Sequence, residues 1–250
     1  MKNFQFLAVA LLALACAFIT TSCEKEENIA LEQSFDVFNP EQDILNVTGI
    51  GTSADAQRKS HIELTKEWWK YVLSFDCSKN PLNFPVLNST AYQPGPVAFL
   101  VGAEDGFATR NILVKRNQAI LVPIIAKLSD YPCSDPSVRP SSGFSFEQFL
   151  LSGPDKFIDL ATNFKVTLNG RPISITDNNR LTTNLFYVTG KADLTQCTDV
   201  CVTGQLQAAV SDGYWLVFSS LPAGKHVLRI HAEILRTGIV IDGYYNITVR

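Results

Sequence analysis

The sequence predicts a mainly β protein with an α-helical N-terminal portion, built around an antiparallel immunoglobulin-like or jelly-roll-like β-sandwich. Three observations carry this. Hydrophobic residues make up 46% of the 250 and charged residues 18%, with a formal charge of −3. That is ample apolar material for a core and too little net charge for disorder. From Phe164 onward apolar residues recur with a period of two between Gly, Asn and Pro turns, which reads as six or seven short strands within about ninety residues. Ahead of them, Ala54–Phe75 carries Leu64, Trp68, Tyr71, Val72 and Phe75 on one helical stripe.

In chain order, Met1 and Lys2 precede an uncharged stretch to Ser22 with an apolar centre, Phe6–Ile19, the pattern of a secretory signal. Thr21-Ser22-Cys23 followed by Glu24-Lys25-Glu26-Glu27 resembles the lipobox of bacterial lipoproteins, in which the cysteine is acylated. Cys16 is a competing site, but cleavage there leaves apolar residues in the spacer. The acid-rich tetrad after Cys23 resembles the signal that sends lipoproteins of the Bacteroidota to the outer face of the outer membrane. The expected organisation is therefore a signal peptide over 1–22, with lipidation at Cys23, and a flexible tether over 23–44. A helix-containing portion with buried strands follows over 45–163, then a β-sandwich portion over 164–250.

Ser53 or Asp55 caps the predicted helix. Trp69 lies about 100° around the helix from Trp68, so it either stacks on a ligand from an exposed position or packs beneath a following loop. Pro96–Val101 and Ile120–Ala126 are apolar runs with the length of buried strands, and Pro123 marks the second as an edge or a bend. Residues 130–143 hold three prolines and four serines and read as a long loop. Ser145 opens a short helix to Leu151, and Pro154 opens another to Asn163. Asn169-Gly170 is a hairpin turn between Phe164–Leu168 and Pro172–Thr176. Further strands are expected at Asn184–Thr189, Gly204–Val210, Gly213–Phe218, Lys225–Ala232 and Ile239–Arg250, with Ser211-Asp212-Gly213 as a tight turn.

Six cysteines become four once Cys16 and Cys23 are assigned to the leader and the lipid. In an exported protein Cys77, Cys133, Cys197 and Cys201 are disulfide candidates with three possible connectivities. The short Cys197–Cys201 spacing suits a loop closure, which leaves Cys77 with Cys133. A zinc site is weighed on Cys197, Cys201, His226 and His231. The gap before His226 is far from zinc-finger spacing, and two histidines five apart on a strand face opposite sides. No metal and no cofactor is expected.

Several ordered patches resemble a little-characterised family of secreted bacterial proteins. They include Glu67-Trp68-Trp69-Lys70-Tyr71, Gly95-Pro96-Val97 with Phe99-Leu100 and Gly102, Ala209-Val210-Ser211-Asp212-Gly213-Tyr214-Trp215, and Leu221-Pro222-Ala223-Gly224-Lys225-His226. The resemblance implies export and supplies no reaction.

The chemistry-bearing patterns are sparse. There is no Gly-x-Ser-x-Gly elbow, and three histidines leave few bases for a catalytic relay. Gly49-Ile-Gly51 lacks the strand and helix that a dinucleotide site requires. The slightly acidic balance argues against a nucleic-acid partner. Glu104 and Asp105 close an apolar run within Gly102–Gly106, where loops often carry function. With Trp69 and Trp215 they are the candidate ligand contacts. The expectation is a lipid-anchored, surface-exposed module that binds glycan, peptide or envelope partners without catalysis. The alternative is a cell-surface hydrolase of polysaccharide or peptidoglycan, which needs a pocket with two acids about 5–10 Å apart.

Overall fold

A computed structural model describes residues 54–140 and 142–250. The signal peptide, Cys23 and the tether lie outside the described residues. The described chain opens with helix α1 (Ala54–Leu73) and continues into strands β1 (Val86–Asn88), β2 (Val97–Phe99), β3 (Phe107–Val114) and β4 (Ala119–Tyr131). Helix α2 (Phe146–Ile158) follows, then β5 (Ala161–Leu168), β6 (Arg171–Ile173), β7 (Phe186–Thr189), β8 (Leu206–Phe218), β9 (Gly224–Ile234) and β10 (Ile239–Val249). No described helix is long and apolar enough to cross a membrane.

The strands form two sheets, one ordered β1-β3-β10-β9-β5-β6 and the other β2-β4-β8-β7. The expected sandwich with an N-terminal helix is the architecture seen. Strands from before and after position 164 share both sheets, and β5 itself spans that position. The pairing is mixed: β3 runs parallel to both β1 and β10, and β2 runs parallel to β4, while the other pairs are antiparallel. Between the sheets the core is mostly aliphatic, with Leu100, Ile120, Val122, Leu216 and Phe218 meeting Leu168, Leu228, Ile230, Ile247 and Val249. Burial of this size in two facing layers supplies the main driving force for the fold.

The outer face of the four-stranded sheet is covered by α1. Its buried stripe is Thr65, Trp68, Trp69, Val72 and Leu73, at i, i+3, i+4, i+7 and i+8. This lies partly rotated from the expected Leu64-Tyr71-Phe75 side, because it is Trp69 and Leu73 that meet Val188, Ala209 and Trp215. Helix α2 packs on β4 and β8. It is a single helix rather than two, with Ser145 and Gln148 forming a capping box and Pro154 carried inside it. The Asn169-Gly170 hairpin is present, with both residues at positive φ and Leu168 opposite Arg171.

Two expectations for the second half are corrected. Ser211-Asp212-Gly213 is not a turn but the middle of the thirteen-residue strand β8. Its polar groups survive burial because Ser211 accepts from the Trp69 indole at 2.7 Å and Asp212 is bound by Arg180. Glycine is required at 213, where a Cβ would stand 2.6 Å from the Ile125 carbonyl. That close approach coincides with the register shift between Pro123 and Ile125, so Pro123 is the bend that was expected, in a strand that β8 flanks along its length. The disulfides are also different: Cys77 joins Cys197 and Cys133 joins Cys201. The 197–201 segment lies between the end of α1 and the end of β4, and each cysteine is tied to a different one of them.

Candidate functional site

The unequal lengths of β2 and β4 create the site. β2 pairs with only Ala119–Leu121 of β4. Beyond Leu121, among the described residues, β4 has a strand partner on its β8 side only. At that open edge of β4 a cavity of about 260 Å³ is enclosed by α1, β4 and the facing sheet. Its walls are Trp68 and Trp69 of α1, Ile124, Ile125 and Leu128 of β4, and Ile230, Ile241 and Tyr245 of the opposite sheet. Its charged lining comes from Glu104, Lys127 and Asp199.

Each polar group is held in place by local structure. Arg110, buried at 3% exposure, donates to the carbonyls of Pro81, Pro85, Val101 and Gly102. This clamps the chain that leads into Glu104, whose own N–H donates to Leu82 at 2.9 Å. The following turn needs Gly106, where a Cβ would lie 2.2 Å from the Val240 carbonyl. Asp199 enters on the segment fixed by both disulfides, its carboxylate accepting from the Cys201 N–H at 2.9 Å. Gln207 locks the same segment, donating to the carbonyls of Pro132 and Cys201 at 2.8 Å each. Lys127 is exposed on the stretch of β4 that only β8 flanks.

Asp130 lies three residues further along β4, at 2% exposure, and one of its carboxylate oxygens has no hydrogen-bond partner. Carboxylate oxygens of Asp130 and Asp199 and the Cys201 sulfur all lie within 4.8 Å of one another. Burial raises the pKa of all three acids, because desolvation penalises the charged form. Asp130 is pushed up to about 7 by burial and then by the charge of Asp199. Glu104 is raised by burial, with Asp199 adding to it. Asp199 is raised by burial against the pull of the Cys201 N–H. The positive charge of Lys127 lowers each of them and is outweighed in every case. A cluster of desolvated acids at a cavity marks a site on physical grounds.

The four candidate contacts therefore separate. Glu104 shares the cavity with Trp68 and Trp69. Asp105 turns away and accepts from the Phe107 N–H at 3.0 Å, shaping the turn. Trp69 is 9% exposed with its indole committed to Ser211. Trp215 is 2% exposed, stands edge-on to Trp68 at 5.3 Å and does not line the cavity. Asp130, Asp199 and Lys127 were not singled out from the sequence. A signal for Asp130 existed: it shares parity with the buried Leu128 at the end of an apolar strand, where an acid is out of place. His226 and His231 take opposite faces of β9, His226 buried against Asn169 and Pro222, His231 on the outer face against Asp242.

No family model, no curated protein and no solved structure matches this chain.

Proposed function

We propose that the protein is a lipid-anchored bacterial binding module, displayed at the outer membrane surface, whose cavity takes an apolar side chain of a peptide ligand. The lipobox-like Thr21-Ser22-Cys23 and the acid-rich residues after it support the anchor and the compartment. The observation that carries the binding reading is the apolar cavity beside the stretch of β4 that only β8 flanks, with Glu104 and Asp199 in its lining. Apolar walls with a few convergent polar groups are the composition of a ligand site. Two acids against one lysine favour a ligand with basic or hydrogen-bond-donating groups next to its apolar part. A peptide fits better than a glycan, because Trp69 and Trp215 are buried and offer no open ring for a sugar to stack on.

The test is a fluorescence titration, since Trp68 and Trp69 line the cavity. A short Leu/Lys peptide is expected to change tryptophan emission and to bind more tightly than the matched Leu/Glu peptide, with Glu104→Gln reducing that preference. No response to either peptide, or preference for the acidic one, contradicts the reading.

One observation favours a second reading, the cell-surface hydrolase. Glu104 and Asp199 share the cavity lining and burial raises both from their ordinary values, the direction that suits Glu104 as a proton donor. That reading predicts turnover of polysaccharide or peptidoglycan that Glu104→Gln abolishes. Binding without turnover removes it.

A further inference from the structure

We propose that Asp130 and Asp199 form a binding site for a hard divalent cation, calcium in particular, at the inner end of β4. The first ground is geometric. Oxygens of the two carboxylates lie within 4.8 Å of each other, and an ion with ligand distances of about 2.3–2.6 Å can bridge such a pair. The second ground is an orphan. Asp130 is 2% exposed, and its Oδ2 has no hydrogen-bond partner. Buried carboxylate oxygens are ordinarily satisfied, and one without a partner beside a second carboxylate is free to ligate a cation.

The third ground is that the juxtaposition is enforced. The Cys133–Cys201 disulfide and the two carbonyl contacts of Gln207 pin the 199–201 segment to the end of β4. Two like charges are thereby held together by covalent and hydrogen-bonded structure, at a cost that a dication reverses. Asp199 is half-buried and lines the cavity, which gives an ion a path inward.

The identity of the ion follows from the donors. The Cys201 sulfur is half of a disulfide, so it offers no thiolate to zinc or another soft metal. Carboxylate oxygens select a hard ion, and further positions can be filled by water or backbone carbonyls. The inference does not depend on what occupies the cavity.

Calorimetric titration of calcium into the full-length protein in detergent, disulfides intact and metal removed by chelation, tests it alongside thermal melts. Expected is one ion per chain with a Kd on the order of 10⁻⁴ to 10⁻³ M and a melting temperature that rises with calcium. Asp199→Asn is expected to weaken binding about tenfold or more. Asp130→Asn keeps the side-chain shape and should fold while losing the calcium-dependent shift. Absence of heat and of any shift up to about 10 mM calcium would overturn the proposal. Undiminished binding in both variants would also overturn it, by placing the ion elsewhere. Zinc binding that appears only after disulfide reduction would assign the site to a Cys201 thiolate and equally overturn it. The peptide titration is run in calcium-free buffer, so failure of one reading leaves the other standing.

Discussion

Two groups of acids lie on the four-stranded sheet and its flanks, and they are built in opposite ways. In the first, Arg180 donates to Asp212 at 2.5 Å, to Asp159 at 2.7 Å and to Asp155 at 2.9 Å, while Thr182 adds a further bond to Asp212. Asp212 is fully buried, yet every oxygen it presents is answered. Those bonds hold the Arg180 guanidinium still more firmly in its charged form. In the second group, Glu104, Asp130 and Asp199 share only the field of the exposed Lys127, and all three are pushed toward their neutral forms. Similar residue types thus yield a stitch between α2 and β8 in one place and, in the other, desolvated carboxyls without an ion-pair partner among the described residues. What differs is whether a cation is built into the cluster or left to come from outside.

The sharpest way to break that comparison is to remove the built-in cation. Arg180→Met leaves Asp212 charged in a buried position, and a loss of about 3–5 kcal/mol is expected in chemical denaturation. Adding Asp212→Asn should recover part of it, and full additivity of the two changes would contradict the coupling. Next in size is the Cys133→Ser/Cys201→Ser pair, which releases the segment carrying Asp199. It should lower stability by about 2–4 kcal/mol and bring Asp130 closer to an ordinary carboxylate.

The second group responds in the other direction. Asp130→Asn removes a buried charge and should raise stability at pH 8 by about 1–3 kcal/mol in calcium-free buffer. The sign follows from linkage. The folded-state value of about 7 lies above the ordinary 3.8, so the native state holds a proton that the unfolded chain has released. The contribution is fully present below pH 3.8 and is lost as pH climbs through about 7. Denaturation midpoints across that window should fall for the wild type and flatten for the variant.

The smallest expected effect is on the outer face of the other sheet. His231 is raised by its bonds to Asp242 and Glu233. Its contribution is complete below the unfolded histidine value of 6.5 and fades as pH rises above it. His231→Gln should remove that slight slope from the denaturation midpoint above pH 6.5.

The same contrast explains what could be read from the sequence. Period two exposed β9 and β10, and the Asn169-Gly170 pair exposed its hairpin, because those signals are local. Ser211-Asp212-Gly213 looked like a turn because three polar or flexible residues interrupt an apolar run. The partners that make it a strand, Trp69, Thr183 and Arg180, lie between 28 and 142 residues away. Cys197 and Cys201 suggested a small loop by spacing, whereas their true partners depend on where α1 and β4 end. The parallel pairing of β3 with β10 is likewise a matter of topology with no local signature. Glu104 is legible because it closes a strand-like run, while Asp130 falls in the loop read from residue 130, two residues before β4 gives way at Pro132. The cavity itself arises from β2 being three residues long and β4 thirteen, a mismatch visible only once the pairing is known.

The central claim is that the acids at and beside the cavity are desolvated and have no cation built in among them. Carbon-13 NMR of the side-chain carboxyls, titrated in calcium-free buffer with assignments from Glu104→Gln, Asp130→Asn and Asp199→Asn, measures this directly. Asp130 is expected to titrate with a midpoint near 7, and Glu104 and Asp199 above their ordinary values. Three midpoints in the ordinary carboxylate range would contradict the account.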